Sequence, residues 1–264
     1  MKDYKDYIID AEEWQRNRPR FYIDQLMPNS TADYGVIGGR WQKGKTNLSL
    51  ELLACLASGD DFFGFKVEQI PVVLVDLEGN PVNISERTMK MVGHHSPIPP
   101  NYLNISSLKD KRFKLHNNTD RLVDEVKGAK LALIDGTKHL IEGEYLKPAK
   151  IKQFGEDLMI AMGKGGFCSI VTWQIRKPHR ETLAIPGDLD TLKGGADLIE
   201  DATFALLLEQ PPSKPLGKNQ WFHPPENWVN LYVGKAKEAN REDIFVEPFK
   251  ECLFDRTTCQ FKMR

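Results

Sequence analysis

An α/β fold is the class this sequence predicts: a mostly parallel sheet flanked by helices, with antiparallel strands at its C-terminal end. Three observations lead there. Short apolar runs alternate with longer segments whose apolar residues recur every three or four positions. A glycine-rich octet stands where one apolar run gives way to a helical pattern. Beyond residue 200 the runs follow one another across short gaps, as strands joined by hairpins do.

Taken in order, residues 1–33 read as a polar lead-in, with a short helix near Ala11 to Gln15 and a turn at MPNSTADYG. Buried strands are expected at 34–37, 72–76, 131–135 and 169–172, where β-branched and aliphatic residues run without interruption. Helices are expected between them at 45–58, 84–92, 119–128 and 151–162, and this alternation favours helices on both faces of the sheet. ATFALLLEQ, WVNLYVGKA, EDIFVEPF and TTCQFKM then read as consecutive strands. The Pro-rich PPSKPLGKNQWFHPPEN is a loop or a hairpin arm between two of them.

The 264 residues suffice for one large domain with a real core. With 36 basic against 37 acidic residues there is no bulk positive field, so any site for a polyanion must be local. Cys55, Cys168, Cys252 and Cys259 have no C-x-x-C spacing, which argues against a disulfide framework or a zinc site. His94 and His95, beside a Pro-rich turn, likewise lack metal spacing. The charged N-terminal stretch is unlike a signal peptide and no apolar run reaches spanning length, so a cytoplasmic protein is expected.

The octet Gly39-Arg40-Trp41-Gln42-Lys43-Gly44-Lys45-Thr46 matches G-x-x-x-x-G-K-[ST]. Glycines let such a loop curl its N–H groups inward around a phosphate, and the helix that follows through Asn47 adds its positive dipole end. Lys45 then reaches the β- and γ-phosphates and the Thr46 hydroxyl ligates Mg²⁺, which makes ATP the expected ligand. The run LALID at 131–135 ends in Asp135, a second acid for the metal at the carboxyl end of a buried strand. The preceding strand ends in Asp76 and Glu78, either of which alternation places toward the same crevice as a candidate base, with Arg87 one helical segment later.

These motifs together resemble the RecA-like ATPase core of the DnaB/RepA replicative helicase type, over about residues 20 to 264. The resemblance implies that Glu78, in DLEGNPVNISER, is the catalytic base and that Gln174, ending IVTWQ, senses the γ-phosphate. It implies that Lys235 and Lys237, in LYVGKAKEANRED, reach a neighbouring subunit's ATP site. Lys237 stands where that family carries an arginine, and Arg241 in the following turn is the alternative. Residues 34–264 would form the ATPase domain and 1–33 a lead-in or subunit-linking segment.

The resemblance further implies a hexameric ring around single-stranded DNA, gripped by two loops. One spans about 136–152, with Lys138, Lys147 and Lys150; the other spans about 175–195, with Arg176, Lys177, Arg180 and Lys193. A helicase or translocase is the leading expectation, a recombinase or strand-annealing ATPase the second, and a nucleotide-dependent assembly switch the third. Trp221, Phe222 and Trp228, interleaved with Lys218 and His223, fit sheet packing better than base stacking.

Overall fold

Why the central strands are invisible to solvent follows from their composition. VVLVD and LALID are apolar up to their final acid, and in the computed structural model each is buried along its whole length as β4 (Val72–Asp76) and β6 (Leu131–Asp135). The structure describes residues 21–24, 26–29, 33–40, 44–108, 113–144, 147–175, 192, 198, 201–209, 211, 214–217, 220–222, 228–236, 250–255 and 260–263. The remaining strands of the large sheet are β3 (Tyr34–Gly39), β5 (Leu103–Ser107), β7 (Cys168–Gln174), β8 (Phe204–Glu209), β11 (Trp228–Ala236), β12 (Lys250–Asp255) and β13 (Gln260–Met263).

The nine strands lie in the order β13-β12-β11-β8-β3-β7-β6-β4-β5. From β5 through β8 every pairing is parallel. From β8 outward through β11, β12 and β13 every pairing is antiparallel. The mixed sheet is thus parallel where helices connect the strands and antiparallel where the C-terminal strands close the edge, as the sequence predicts.

Helices α1 (Lys45–Ser58) and α2 (Pro81–Val92) pack on one face, where Leu52, Leu53, Leu56, Ile84 and Met91 meet Ile37, Leu74, Leu133 and Ile170. Helices α3 (Thr119–Glu125) and α4 (Pro148–Gly165) cover the other face, where Leu122, Phe154 and Leu158 meet Val36, Val75, Ile134 and Val171. Alternation along each strand divides its side chains between these two cores. Helix α1 is buried on nearly every side, so it is held by packing rather than by an amphipathic stripe.

Several expectations change in detail. Part of the polar lead-in is structured: β1 (Phe21–Ile23) pairs antiparallel with β2 (Met27–Pro28), and Tyr22, Ile23, Leu26 and Met27 enter the core beside α1. Strand β5 was not expected, because LNISS is polar and only partly buried at the sheet edge; its backbone pairing with β4 decides it. Helix α2 begins earlier than its apolar pattern, since the Asn80 side chain caps Val82 N–H and Pro81 occupies the first turn. Helix α3 ends at Glu125 rather than 128.

The Pro-rich segment is the hairpin of β9 (Lys214–Gly217) and β10 (Gln220–Phe222). The strand expected within EDIFVEPF lies outside the described residues, and the pairing with β11 falls on Lys250–Asp255. The helix expected near Ala11 also lies outside them. Trp228 is buried against the sheet, in agreement with packing. Among the described residues no helix is long and apolar enough to cross a membrane.

Candidate nucleotide site

The crevice opens at the carboxyl ends of the parallel strands, where β3 sits between β7 and β8 and the helices on its two sides diverge. Gly39, the last residue of β3, lies in register with Gln174 of β7 and Leu208 of β8, and Ile175 N–H donates to Gly39 C=O at 3.2 Å. The register therefore sets Gln174 beside the entrance to the glycine-rich loop. Gly44 closes that loop with φ +91°, a left-handed conformation that side chains rarely adopt, and its carbonyl accepts the α1 bond from Leu48 N–H. Trp41, Gln42 and Lys43 lie outside the described residues.

Lys45 opens α1 and turns its ammonium back over the loop, donating to the carbonyls of Gly39 and Arg40 at 3.0 Å each. Burial pushes its pKa below the ordinary value, while the charges of Asp135 and Glu78 pull the other way. Thr46 Oγ1 donates to Asp135 Oδ2 at 2.5 Å. Thr172 Oγ1 on β7 donates to Asp135 Oδ1 at 2.7 Å and accepts from Gly136 N–H at 3.0 Å. Both carboxylate oxygens of Asp135 are thus held, and burial, opposed by these two hydroxyls, leaves its pKa raised.

The two acids after β4 have different surroundings. Asp76 is buried, lies in register with Asp135, and uses Oδ1 to accept from Glu78 N–H at 3.3 Å and Gly79 N–H at 2.8 Å. It shapes the turn that presents Glu78, while its Oδ2 is buried with no hydrogen-bond partner among the described residues. Glu78 is half-exposed and meets Lys138 Nζ at 2.6 Å and His139 Nε2 at 3.1 Å. Burial raises its pKa, but the hydrogen bond and charge of Lys138 and those of His139 outweigh this and leave it below the ordinary value. Lys138 and His139 stand on the 3₁₀ turn Thr137–Leu140 that follows β6, entered through Gly136 at φ +85°. A Cβ at Gly136 would lie 2.5 Å from Glu78 Cγ, so glycine there admits the acid.

This donor set fits a magnesium-bound triphosphate. Thr46, Asp135 and the orphaned Asp76 Oδ2 all offer oxygen, the ligand type that hard Mg²⁺ selects. Lys45 supplies a cation at the mouth of a glycine loop and a helix N-terminus with no acidic residue in its first turn.

The matched family model is described as AAA domain and covers residues 3–178. The chain belongs to the AAA domain family. Among solved structures this AAA domain is similar to the ATPase domain of a DnaB-type helicase, with TM-score 0.60 and 15% identity over 88% of this chain and 84% of that one. It is also similar to a DnaB-like replicative helicase solved for its interactions with primase, with TM-score 0.59 and 15% identity, covering 88% of this chain and 59% of that one. The fold is therefore that of a RecA-like helicase-type ATPase domain. One curated relative, a chloroplastic phosphoribosyl imidazole-4-carboxamide isomerase of Medicago truncatula, is 26% identical over 121 residues, 45% of this chain. The chain spans about a third of that relative's length, 36%, and the match is too partial to assign a family.

Of the residues singled out in the sequence, Gly39, Arg40, Gly44, Lys45, Thr46, Glu78, Asp135 and Gln174 stand at this crevice of the AAA domain. Asn47 continues α1, with its side-chain Oδ1 buried and unpartnered among the described residues. Arg87 is on the solvent face of α2. Lys235 pairs by backbone with Ala205 beside an irregularity in β11. Lys237, Arg241, Arg176, Lys177, Arg180 and Lys193 lie outside the described residues. Sequence reasoning missed Thr172 and His139. A hydroxyl within a buried strand is the signal that pointed to Thr172; nothing local marked His139.

Proposed function

We propose that the chain is an ATP-hydrolysing motor that assembles as a ring, a hexamer by its likeness to the helicase type, and moves along single-stranded DNA as a helicase or translocase. In this reading Lys45 neutralises the β- and γ-phosphates, and Thr46 and Asp135 hold Mg²⁺ with Thr172 fixing the carboxylate. When bound, the metal would supply positive charge at the phosphate oxygens. Glu78 accepts the proton of the attacking water, Gln174 senses the γ-phosphate, and Lys235 with Lys237 completes a neighbour's site.

The observation that carries a motor, rather than a static nucleotide binder, is the contact of Glu78 with Lys138 and His139. It ties the proposed base to the segment after β6 that, by the resemblance, faces DNA. A strand phosphate drawing Lys138 away would free Glu78 to face water, so DNA engagement would stimulate hydrolysis. Arg176, Lys177, Arg180 and Lys193 would grip the same strand through its phosphates, without sequence preference and with steep salt dependence. Measuring ATPase with and without single-stranded DNA, alongside duplex unwinding, tests this. DNA-stimulated turnover with unwinding is the expected result. Strand exchange without unwinding would favour a recombinase, and slow turnover indifferent to DNA an assembly switch.

A further inference from the structure

Glu51 and Cys55 lie four residues apart on α1, so they share one face of the helix and point to the same neighbour. That neighbour is His95, on the turn that follows α2. The carboxylate, the thiol sulfur and the imidazole offer ligand atoms all within 4.8 Å of one another. His95 Nε2 is 3.6 Å from Glu51 Oε1, and the two side chains are only 8% and 17% exposed.

Two further features fit a metal ion better than a simple polar contact. Asp60 Oδ2 lies 3.1 Å from His95 Nδ1 and also accepts from Ser96 N–H at 2.8 Å, while Asp60 Oδ1 accepts from Ser96 Oγ at 2.7 Å. A carboxylate only accepts, so the proton sits on Nδ1 and the Nε2 lone pair is turned toward Glu51 and Cys55. This is the carboxylate–histidine arrangement that orients metal-binding imidazoles. In addition, Glu51 Oε2 is buried with no hydrogen-bond partner among the described residues.

We propose that Glu51, Cys55 and His95 form a binding site for a zinc-type divalent cation, with Asp60 orienting His95 and water as the fourth ligand. One thiolate, one carboxylate and one imidazole are ligands of the mixed nitrogen, oxygen and sulfur kind that zinc accepts in tetrahedral geometry. On binding, the S–H bond of Cys55 breaks, its sulfur bonds the metal, and the proton passes to solvent. Two negative ligands then balance the 2+ ion, which leaves a neutral centre in a largely buried place. Tetrahedral ligands stand roughly 3.5 Å apart given their bond lengths, so small side-chain rotations close the observed spacing. Cys55 is about ten residues beyond Lys45, or roughly 15 Å along the helix, so the site is separate from the nucleotide crevice. Its effect would be to clamp α1 to the turn after α2.

The test is Co²⁺ titration of the full chain, stripped with chelator and free of nucleotide. Saturation at one equivalent is expected, with the visible bands of a tetrahedral ion and a thiolate-to-cobalt charge-transfer band. Zn²⁺ should displace the cobalt and, at a hundredfold excess over its Kd, raise Tm by roughly 5–10 °C. Cys55→Ala should lose the charge-transfer band, whereas Cys252→Ala should keep it. His95→Gln, whose folding is checked by circular dichroism, should keep the band but bind at least about tenfold more weakly. A folded wild-type chain with no charge-transfer band, or an unaltered band in Cys55→Ala, would overturn the site. So would full affinity in His95→Gln. A protonated His95 bridging Glu51 and Asp60 would then account for the geometry.

Discussion

The two ends of helix α1 carry polar clusters of opposite construction. At the N-terminal end, Lys45 and Thr46 are consecutive, follow the glycine loop directly, and meet acids at the ends of parallel strands. At the other end, Glu51 and Cys55 meet a histidine some forty residues on, brought there only because α1 and α2 pack on the same face. The first cluster opens into a crevice that can admit a large anion. The second is walled by side chains and has room for little more than an ion. One helix thus presents a site for exchangeable ligand where its dipole is exposed and a closed cluster where it is buried among leucines.

Lys45→Ala should break the nucleotide end most completely. Among the described residues no other ammonium is placed on the loop carbonyls, so ATP turnover should fall by at least about a hundredfold and nucleotide affinity with it, read by steady-state ATPase and nucleotide titration. Glu78→Gln comes next: the amide keeps the shape but cannot accept the water's proton, so kcat should drop by about 10²–10⁴ while Mg²⁺–ATP binding is nearly kept. Normal turnover in that variant would remove Glu78 as base, and the capping role of Asp76 leaves it poorly placed to substitute.

Smaller effects sharpen the contrast. Thr172→Ala removes one of the two hydroxyls on Asp135, and a loss of roughly tenfold in apparent Mg²⁺ affinity is expected; an unchanged metal dependence would deny Thr172 its positioning role. Lys138→Ala should raise DNA-independent ATPase a few-fold. It should also move the acidic limb of the pH–rate profile upward. The sign follows from the surroundings of Glu78. Lys138 and His139 hold its pKa below the ordinary 4.5 against burial, so in the wild type the carboxylate stays ionised until pH falls through that lowered value. Without Lys138, burial dominates and protonation begins at higher pH. The smallest effect belongs to the other end of α1: His95→Gln should alter ATP affinity by less than about threefold. A larger change would show that the two clusters are coupled through the helix.

Much of the fold was legible because its central strands are apolar on both faces and its helices periodic. Those two signals are local. Strand β5 and the β1–β2 pair escaped notice for the opposite reason: LNISS and the short strands around Leu26 are recruited by pairing and packing, not by composition. At the site the glycine loop, Glu78, Asp135 and Gln174 could be named from sequence, since strand ends and helix starts dictate where such residues point. Which of two acids faces the crevice could not, because Asp76 and Glu78 share one side of an extended chain until the turn bonded to Asp76 reorients the second.

By itself, then, the sequence determined the phosphate loop, the parallel core and the acids at its strand ends, since each depends on neighbours within one strand, turn or helix. Only the tertiary structure decided that Asp76 caps while Glu78 is presented, that Thr172 braces Asp135, that Lys138 and His139 hold Glu78, and that Glu51, Cys55 and His95 converge. Those contacts join residues far apart in the chain. Their geometry is set by sheet register and helix packing, which no spacing rule along the sequence encodes.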